Sequence, residues 1–186
     1  MPSTTAQRAT LADLAKFPGK AELIGGTIVE FMATGYRPSL IAGEIYTGLR
    51  NHARSTKRGV AYTDNMGFAV PELASGRESF SPDAPYYNGP LPSDEMDFAP
   101  GTTTLAVEVR SKTDYGHAAE VEMAAKRADY FEAGTMVVWD VDLKAECVRV
   151  HRPDDPDRPR VFQKGDEADA EPAVPGWRLA VSDIFA

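Results

Sequence analysis

Residues 102–142, "TTTLAVEVRSKTDYGHAAEVEMAAKRADYFEAGTMVVWDVD", decide the fold class, because the apolar period changes twice along them. In the first part Leu105, Val107 and Val109 alternate with Ala106, Glu108 and Arg110, the period of two that makes a strand. Val121, Ala124, Ala125, Ala128 and Phe131 then recur at helical spacing and predict a helix from about His117 to Ala133, with Gly134 as its stop. Met136 to Trp139 is a nearly continuous apolar run, as expected of an interior strand covered on both faces. The order strand, helix, strand is a βαβ unit, so the two strands should run parallel through a right-handed crossover.

Working outward, "ECVRVHR" after a turn at "LKA" predicts a strand antiparallel to the second of the pair, which makes the sheet mixed. "RPDDPDRPR" is an exposed loop, "RVFQ" a short strand, and "WRLAVSDIF" a terminal strand and turn. Toward the N-terminus, Leu40, Ile41, Ile45, Leu49 and Ala53 predict a helix from about Ser39 to Ser55, with Pro38 in its first turn. "AELIGGTIVEFMA" reads as a hairpin around Gly25-Gly26. A short helix over Leu11–Lys16 has Thr10 as its N-cap. "VAYTDNMGFAV" gives two β pieces split at Asp64-Asn65, residues 72–79 a loop, and "FSPDAPYY" a strand interrupted by prolines. The fold class expected is α/β with α+β character: a mixed sheet containing one βαβ unit, flanked by helices.

With 186 residues and 42% hydrophobic content, the chain is sized for one core, and residues 1–186 are read as a single domain. It has no run of about 18 apolar residues. "MPSTTAQRATLADLAKF" lacks the charged-then-apolar layout of a signal peptide, so a soluble, cytoplasmic protein is expected. Cys147 is the one cysteine, which excludes an internal disulfide and a thiolate metal cage; it is read as an inert strand residue. His52, His117 and His151 have no metal-ligand spacing and are assigned to surface or helix-start positions. The net charge of −8 argues against binding nucleic acid over a broad basic face. Any such binding needs a local basic patch, and Arg50, Arg54, Lys57 and Arg58, at the end of the first long helix, are the candidates for phosphate contacts. The plainer reading is that they complement the helix macrodipole. The apolar segments "GFAV" and "VVW" suggest a homodimer.

Two carboxylates stand out chemically. Glu108 lies in "LAVEVR", where its neighbours demand burial, so it needs a partner: an Arg, a Lys or a cation. Asp83 lies in "SPDAPYY", where prolines break the strand ahead of an aromatic pair. Acids near strand ends supply the hard oxygen ligands that Mg²⁺ or Mn²⁺ prefers.

Taken in order, "AELIGGTIVEFMA", "SLIAGEIYTGLRNHA", "SPD", "LAVEVRSKT" and "KRADYFEAGTMVVWDVD" resemble the Uma2 (DUF820) family, restriction-endonuclease-like proteins of the PD-(D/E)XK nuclease fold. The resemblance runs over most of the chain. It implies that Asp83 and Glu108 hold a divalent ion, Mg²⁺ or Mn²⁺, with a backbone carbonyl near Val109. It also implies that Lys126, followed by Tyr130 in a "K-x-x-x-Y" helix motif, is the site lysine. The usual lysine position, two residues after the Glu, holds Arg110, whose guanidinium does not readily exchange a proton. A plainer role for Lys126 is an i,i+4 ion pair with Glu122. Many relatives have a histidine where this chain has Pro38. Glu44, in the first long helix, resembles the place from which some nucleases offer a further acid, and is otherwise an exposed helix glutamate. Ser111, Lys112 and Asp114 would order the site mouth or serve as turn and cap residues. The activity implied is metal-dependent endonucleolytic hydrolysis of phosphodiester bonds, with DNA as partner. The alternative is a nuclease-fold module that binds without cutting.

Overall fold

The hairpin forms because Gly25 and Gly26, at φ 58° and 72°, supply the two left-handed residues that a tight two-residue turn requires. A computed structural model describes residues 8–186; the N-terminal reading of residues 1–7 lies outside the described residues. In chain order the elements begin with α1 (Leu11–Leu14), β1 (Ala21–Ile24), β2 (Thr27–Glu30), α2 (Tyr36–Thr56), β3 (Val60–Ala61), β4 (Phe68–Ala69), β5 (Ser79–Phe80), β6 (Tyr86–Tyr87) and β7 (Ala99–Pro100). They continue with β8 (Leu105–Val109), α3 (His117–Glu132), β9 (Val137–Asp142), β10 (Cys147–His151), β11 (Arg160–Gln163), β12 (Glu167–Asp169), β13 (Arg178–Ala180) and α4 (Val181–Ile184). Thr10 caps α1 through a reciprocal capping box with Asp13.

The central sheet has six strands in the order β11-β10-β9-β8-β6-β3. Within it only β8 and β9 run parallel, with Glu108 opposite Asp140 and Val109 opposite Val141. The alternation along β8 sorts its residues as its period requires. Leu105, Val107 and Val109 join the core under α2 with Ile41, Ile45, Leu49 and Trp139, while Ala106 joins Val138, Tyr130, Phe68 and Phe80 on the other face. That second face is covered by α3 and by the small sheet β5-β4-β7. Glu108, on the same side as Ala106, is thereby aimed at α3.

Several expectations change. The inward side of α3 carries Met123, Lys126, Arg127, Asp129 and Tyr130, whereas Val121 is 56% exposed and Ala125 and Ala128 also face outward. Of the predicted apolar stripe only Ala124 and Phe131 stay half-buried, Phe131 against the core, and the helix turns polar residues inward beside them because it covers carboxylates. The C-terminal turn is a helix, α4, and the strand β12 that pairs with β13 was not expected. His151 is buried in β10, its Nδ1 bonded to the Pro156 carbonyl at 2.8 Å, because β10 is an inner strand flanked by β9 and β11. Phe68, Val70, Val138 and Trp139 are buried within the chain, so the segments that suggested a homodimer offer no apolar edge to a second copy. Cys147 is buried, and burial raises its thiol pKa, which keeps it protonated and inert.

Gly59 holds the start of β3 against the core. Its φ is +60°, and a Cβ there would overlap the Tyr86 ring, whose hydroxyl donates to the Arg58 carbonyl at 2.7 Å. Gly59→Ala should destabilise the fold by about 2 kcal/mol or more, from strain plus displacement of a buried ring, measured by chemical denaturation.

Candidate active site

Asp83 is fixed against β8 twice. Its backbone N–H donates to the Val107 carbonyl at 3.0 Å, and its Oδ2 accepts from the Val109 N–H at 2.8 Å. The broken strand "SPDAPYY" makes this possible, since the prolines leave a stretch beside β8 whose side chain, rather than main chain, completes the ladder. Asp83 Oδ1 meets the Lys20 ammonium at 2.8 Å. Lys20 also meets Asp64 Oδ1 at 2.5 Å.

Glu108 emerges between the two residues that anchor Asp83. Its Oε1 accepts from the Tyr130 hydroxyl at 2.6 Å and from the Lys126 ammonium at 2.9 Å. Lys126 reaches Glu22 Oε1 at 3.2 Å as well. Glu22 on β1 is fully buried; it accepts from the Ser81 N–H at 2.9 Å and pairs with Arg77, which bonds Asp129 at 2.8 Å. The ring of Tyr130 stacks on Phe80 with centroids 4.2 Å apart, which locks the hydroxyl toward Glu108. Lys126 is therefore not held by Glu122, which is exposed; its ion-pair partners among the described residues are Glu22 and Glu108.

The charges act on one another. Burial raises the Glu108 carboxyl above the usual carboxylate range; Lys126 opposes the rise, and the charges of Asp83 and Glu22 add to it. Burial works against the Lys126 ammonium, yet Glu108 and Glu22 outweigh it and push its pKa well above the ordinary lysine value. Lys126 thus stays charged at neutral pH and suits charge stabilisation rather than proton abstraction. Lys20 is likewise raised: Asp83 and Glu108 outweigh its burial.

The ion pairs form two separate groups, Asp64–Lys20–Asp83 and Glu108–Lys126–Glu22–Arg77–Asp129, and in each the carboxylates outnumber the cations by one. Asp83 and Glu108, at the C-terminal end of β8, each share their one cation with another carboxylate, Lys20 with Asp64 and Lys126 with Glu22, and are hard oxygen donors of the kind a divalent ion that keeps most of its own water shell takes. Among the described residues no three His, Cys, Asp or Glu side chains form a group that could hold a metal ion by themselves.

The other candidates fall elsewhere. Arg110 is held at Nε and Nη2 by Asp140, with distances of 2.7 and 2.6 Å, and also pairs with Glu120, so it serves an ion-pair network beside the site. Glu44 is exposed on α2 and does not line the cleft at Asp83. Pro38, in the place of the relatives' histidine, is part of that cleft's wall. Asp114 accepts from the Ser111 N–H at 2.6 Å, a local turn contact. Arg50, Arg54, Lys57 and Arg58 make no ion pair among the described residues, and Lys57 is the left-handed C-cap of α2. From Tyr46, which lines the cleft, the helix rises about 6 Å to Arg50 and about 12 Å to Arg54. Arg54, Lys57 and Arg58 therefore lie beyond the cleft along α2, with Arg50 nearest to it. Lys20, Glu22, Asp64, Arg77 and Asp129 were not foreseen; Glu22, a carboxylate in the apolar strand "ELI", carried the one signal that could have flagged them.

A family model described as "Putative restriction endonuclease", Uma2, matches residues 11–182. The chain belongs to the Uma2 family. The chain is also similar to a crystal structure of "a putative nuclease belonging to DUF820" from Anabaena variabilis ATCC 29413, with 18% identity, a TM-score of 0.70, and coverage of 95% of this chain and 97% of that one. That likeness shows the fold. Among curated proteins no match was found. The Uma2 assignment accounts for the mixed sheet with its βαβ unit. No helix among the described residues is long and apolar enough to cross a membrane.

Proposed function

We propose that this Uma2 protein is a metal-dependent endonuclease whose centre is formed by Asp83, Glu108 and Lys126. The observation that supports the proposal is that the Lys126 ammonium lies 2.9 Å from Glu108 while Asp83, distant along the chain from both, accepts from the N–H of Val109, the residue next to Glu108. Asp83 and Glu108 would hold Mg²⁺ or Mn²⁺, with the carbonyl of Val109 as a further donor. When bound, the ion polarises a phosphate and lowers the pKa of a water. Lys126, permanently charged, would stabilise negative charge gathering on the phosphate oxygens. Tyr130 would fix the orientation of Glu108 through its 2.6 Å hydrogen bond.

A cleft of about 190 Å³ opens at Asp83 between Val109, Asp64 and the first turns of α2. Helix α2 has no acidic residue in its first turn and no side-chain cap, so the positive end of its macrodipole is left uncompensated beside the cleft. With Asp64 and Asp83 in the same cleft and a net charge of −8, a phosphate would be received through the bound ion and this helix end rather than through the overall charge.

Purified protein incubated with plasmid DNA and oligonucleotides is expected to cleave them in Mg²⁺ or Mn²⁺ and to stop when the ion is chelated. Binding of nucleic acid without cleavage in either metal would instead establish the non-cutting module, a reading favoured by Arg110 standing where the usual lysine would be.

A further inference from the structure

The site contains two lysines, and they are held differently. Lys126 bridges Glu108 and the fully buried Glu22, so its departure would take an ion-pair partner from a carboxylate without access to water. Lys20 bridges Asp83 at 2.8 Å and Asp64 at 2.5 Å, and Asp64 is 48% exposed at the cleft. Its backbone is anchored, with the carbonyl accepting from the Phe31 N–H at 2.9 Å, while its four-carbon side chain has those two carboxylates as its ion-pair partners among the described residues. Lys20 can therefore release Asp83 and keep a partner in contact with water. The oxygen it occupies, Asp83 Oδ1, is the one that Val109 leaves open.

We propose that Lys20 is a built-in stand-in for the divalent cation. Its ammonium holds the cation position at Asp83, an arriving ion displaces it, and Asp64 retains it at the cleft mouth. The inference rests on the nuclease reading of Asp83 and Glu108, and it makes metal affinity a property that Lys20 lowers.

The test is Mn²⁺ affinity of the full chain, read from the free-ion electron paramagnetic resonance signal. Lys20→Met and Lys20→Gln should each bind Mn²⁺ about tenfold more tightly than the parent, the scale of a typical coupling between two ligands. Lys20→Arg, which keeps the competing charge, should stay near the parent value. Asp64→Asn should weaken Mn²⁺ binding when Lys20 is present, because the ammonium then has only Asp83, and should have no effect in the Lys20→Met background. Equal or weaker binding by Lys20→Met and Lys20→Gln overturns the role of Lys20 while leaving the metal centre standing. Equal weakening by Asp64→Asn in both backgrounds overturns it too, since Asp64 would then be a ligand. Absence of Mn²⁺ binding in the parent and in both neutral variants sinks the metal centre and this proposal together.

Discussion

Replacing Glu22 by leucine is expected to cost about 3–5 kcal/mol of folding stability, a large share of the roughly 5–15 kcal/mol available to a domain. Glu22 is 0% exposed and simultaneously partners Arg77, Lys126 and the Ser81 N–H. Leucine would leave two cations partly uncompensated in a place with little water, and one backbone N–H without its acceptor. Glu22→Gln, which preserves the volume and an acceptor oxygen, should cost less. The pH dependence has a definite sign. Burial raises the Glu22 carboxyl, but Lys126, Arg77 and the Ser81 N–H outweigh it and hold its pKa below the ordinary 4.5. A depressed carboxyl contributes stability that is present above 4.5 and is lost as pH falls toward its folded value. The gap in stability between the parent and Glu22→Leu, measured by urea denaturation, should therefore be widest near neutral pH and shrink in acid. A gap of under 1 kcal/mol at neutral pH would show that Glu22 is not the keystone of the ion-pair chain.

The sequence displayed what local periodicity can display. The period of two over Leu105–Val109, the helix before Gly134 and the apolar run from Met136 specified the βαβ unit, and Gly25-Gly26 specified the hairpin. The orientation of α3 was not legible. Hydrophobic periodicity assumes that the inward side of a helix is apolar, and here that side meets Glu108 and Glu22, so Lys126 and Asp129 point inward and Val121 outward. Residue types allowed Asp83 and Glu108 to be singled out, and family likeness added Lys126. Lys20, Asp64 and Arg77 were hidden because their partners lie far along the chain: Lys20 is 63 residues from Asp83, and Arg77 is 55 from Glu22. No local pattern encodes such pairings. The same limit applied to Arg110, whose neutralisation by Asp140 depends on the register of β8 against β9.

Asp83→Asn and Glu108→Gln are each expected to reduce divalent-dependent cleavage at least about a hundredfold, since loss of groups that merely orient metal ligands already costs that much in other centres. Both substitutions keep volume and hydrogen-bonding capacity, so circular dichroism and denaturation should remain close to the parent, separating chemistry from folding. Lys126→Met should lose about 10²–10³-fold, the scale of removing one preorganised charge-stabilising donor. Its residual activity carries a sharper test. A protonated Glu108 cannot hold a cation, so activity should rise with pH as Glu108 ionises, and burial places that rise above the ordinary carboxylate range. Lys126 opposes the upward shift, hence its removal should move the acid limb of the rate profile to higher pH. Lys126→Arg should keep the limb near its parental position, because the opposing charge is retained. If Lys126→Met cleaves at nearly the parental rate with an unshifted limb, the ammonium takes no part in the chemistry and serves only to neutralise Glu22.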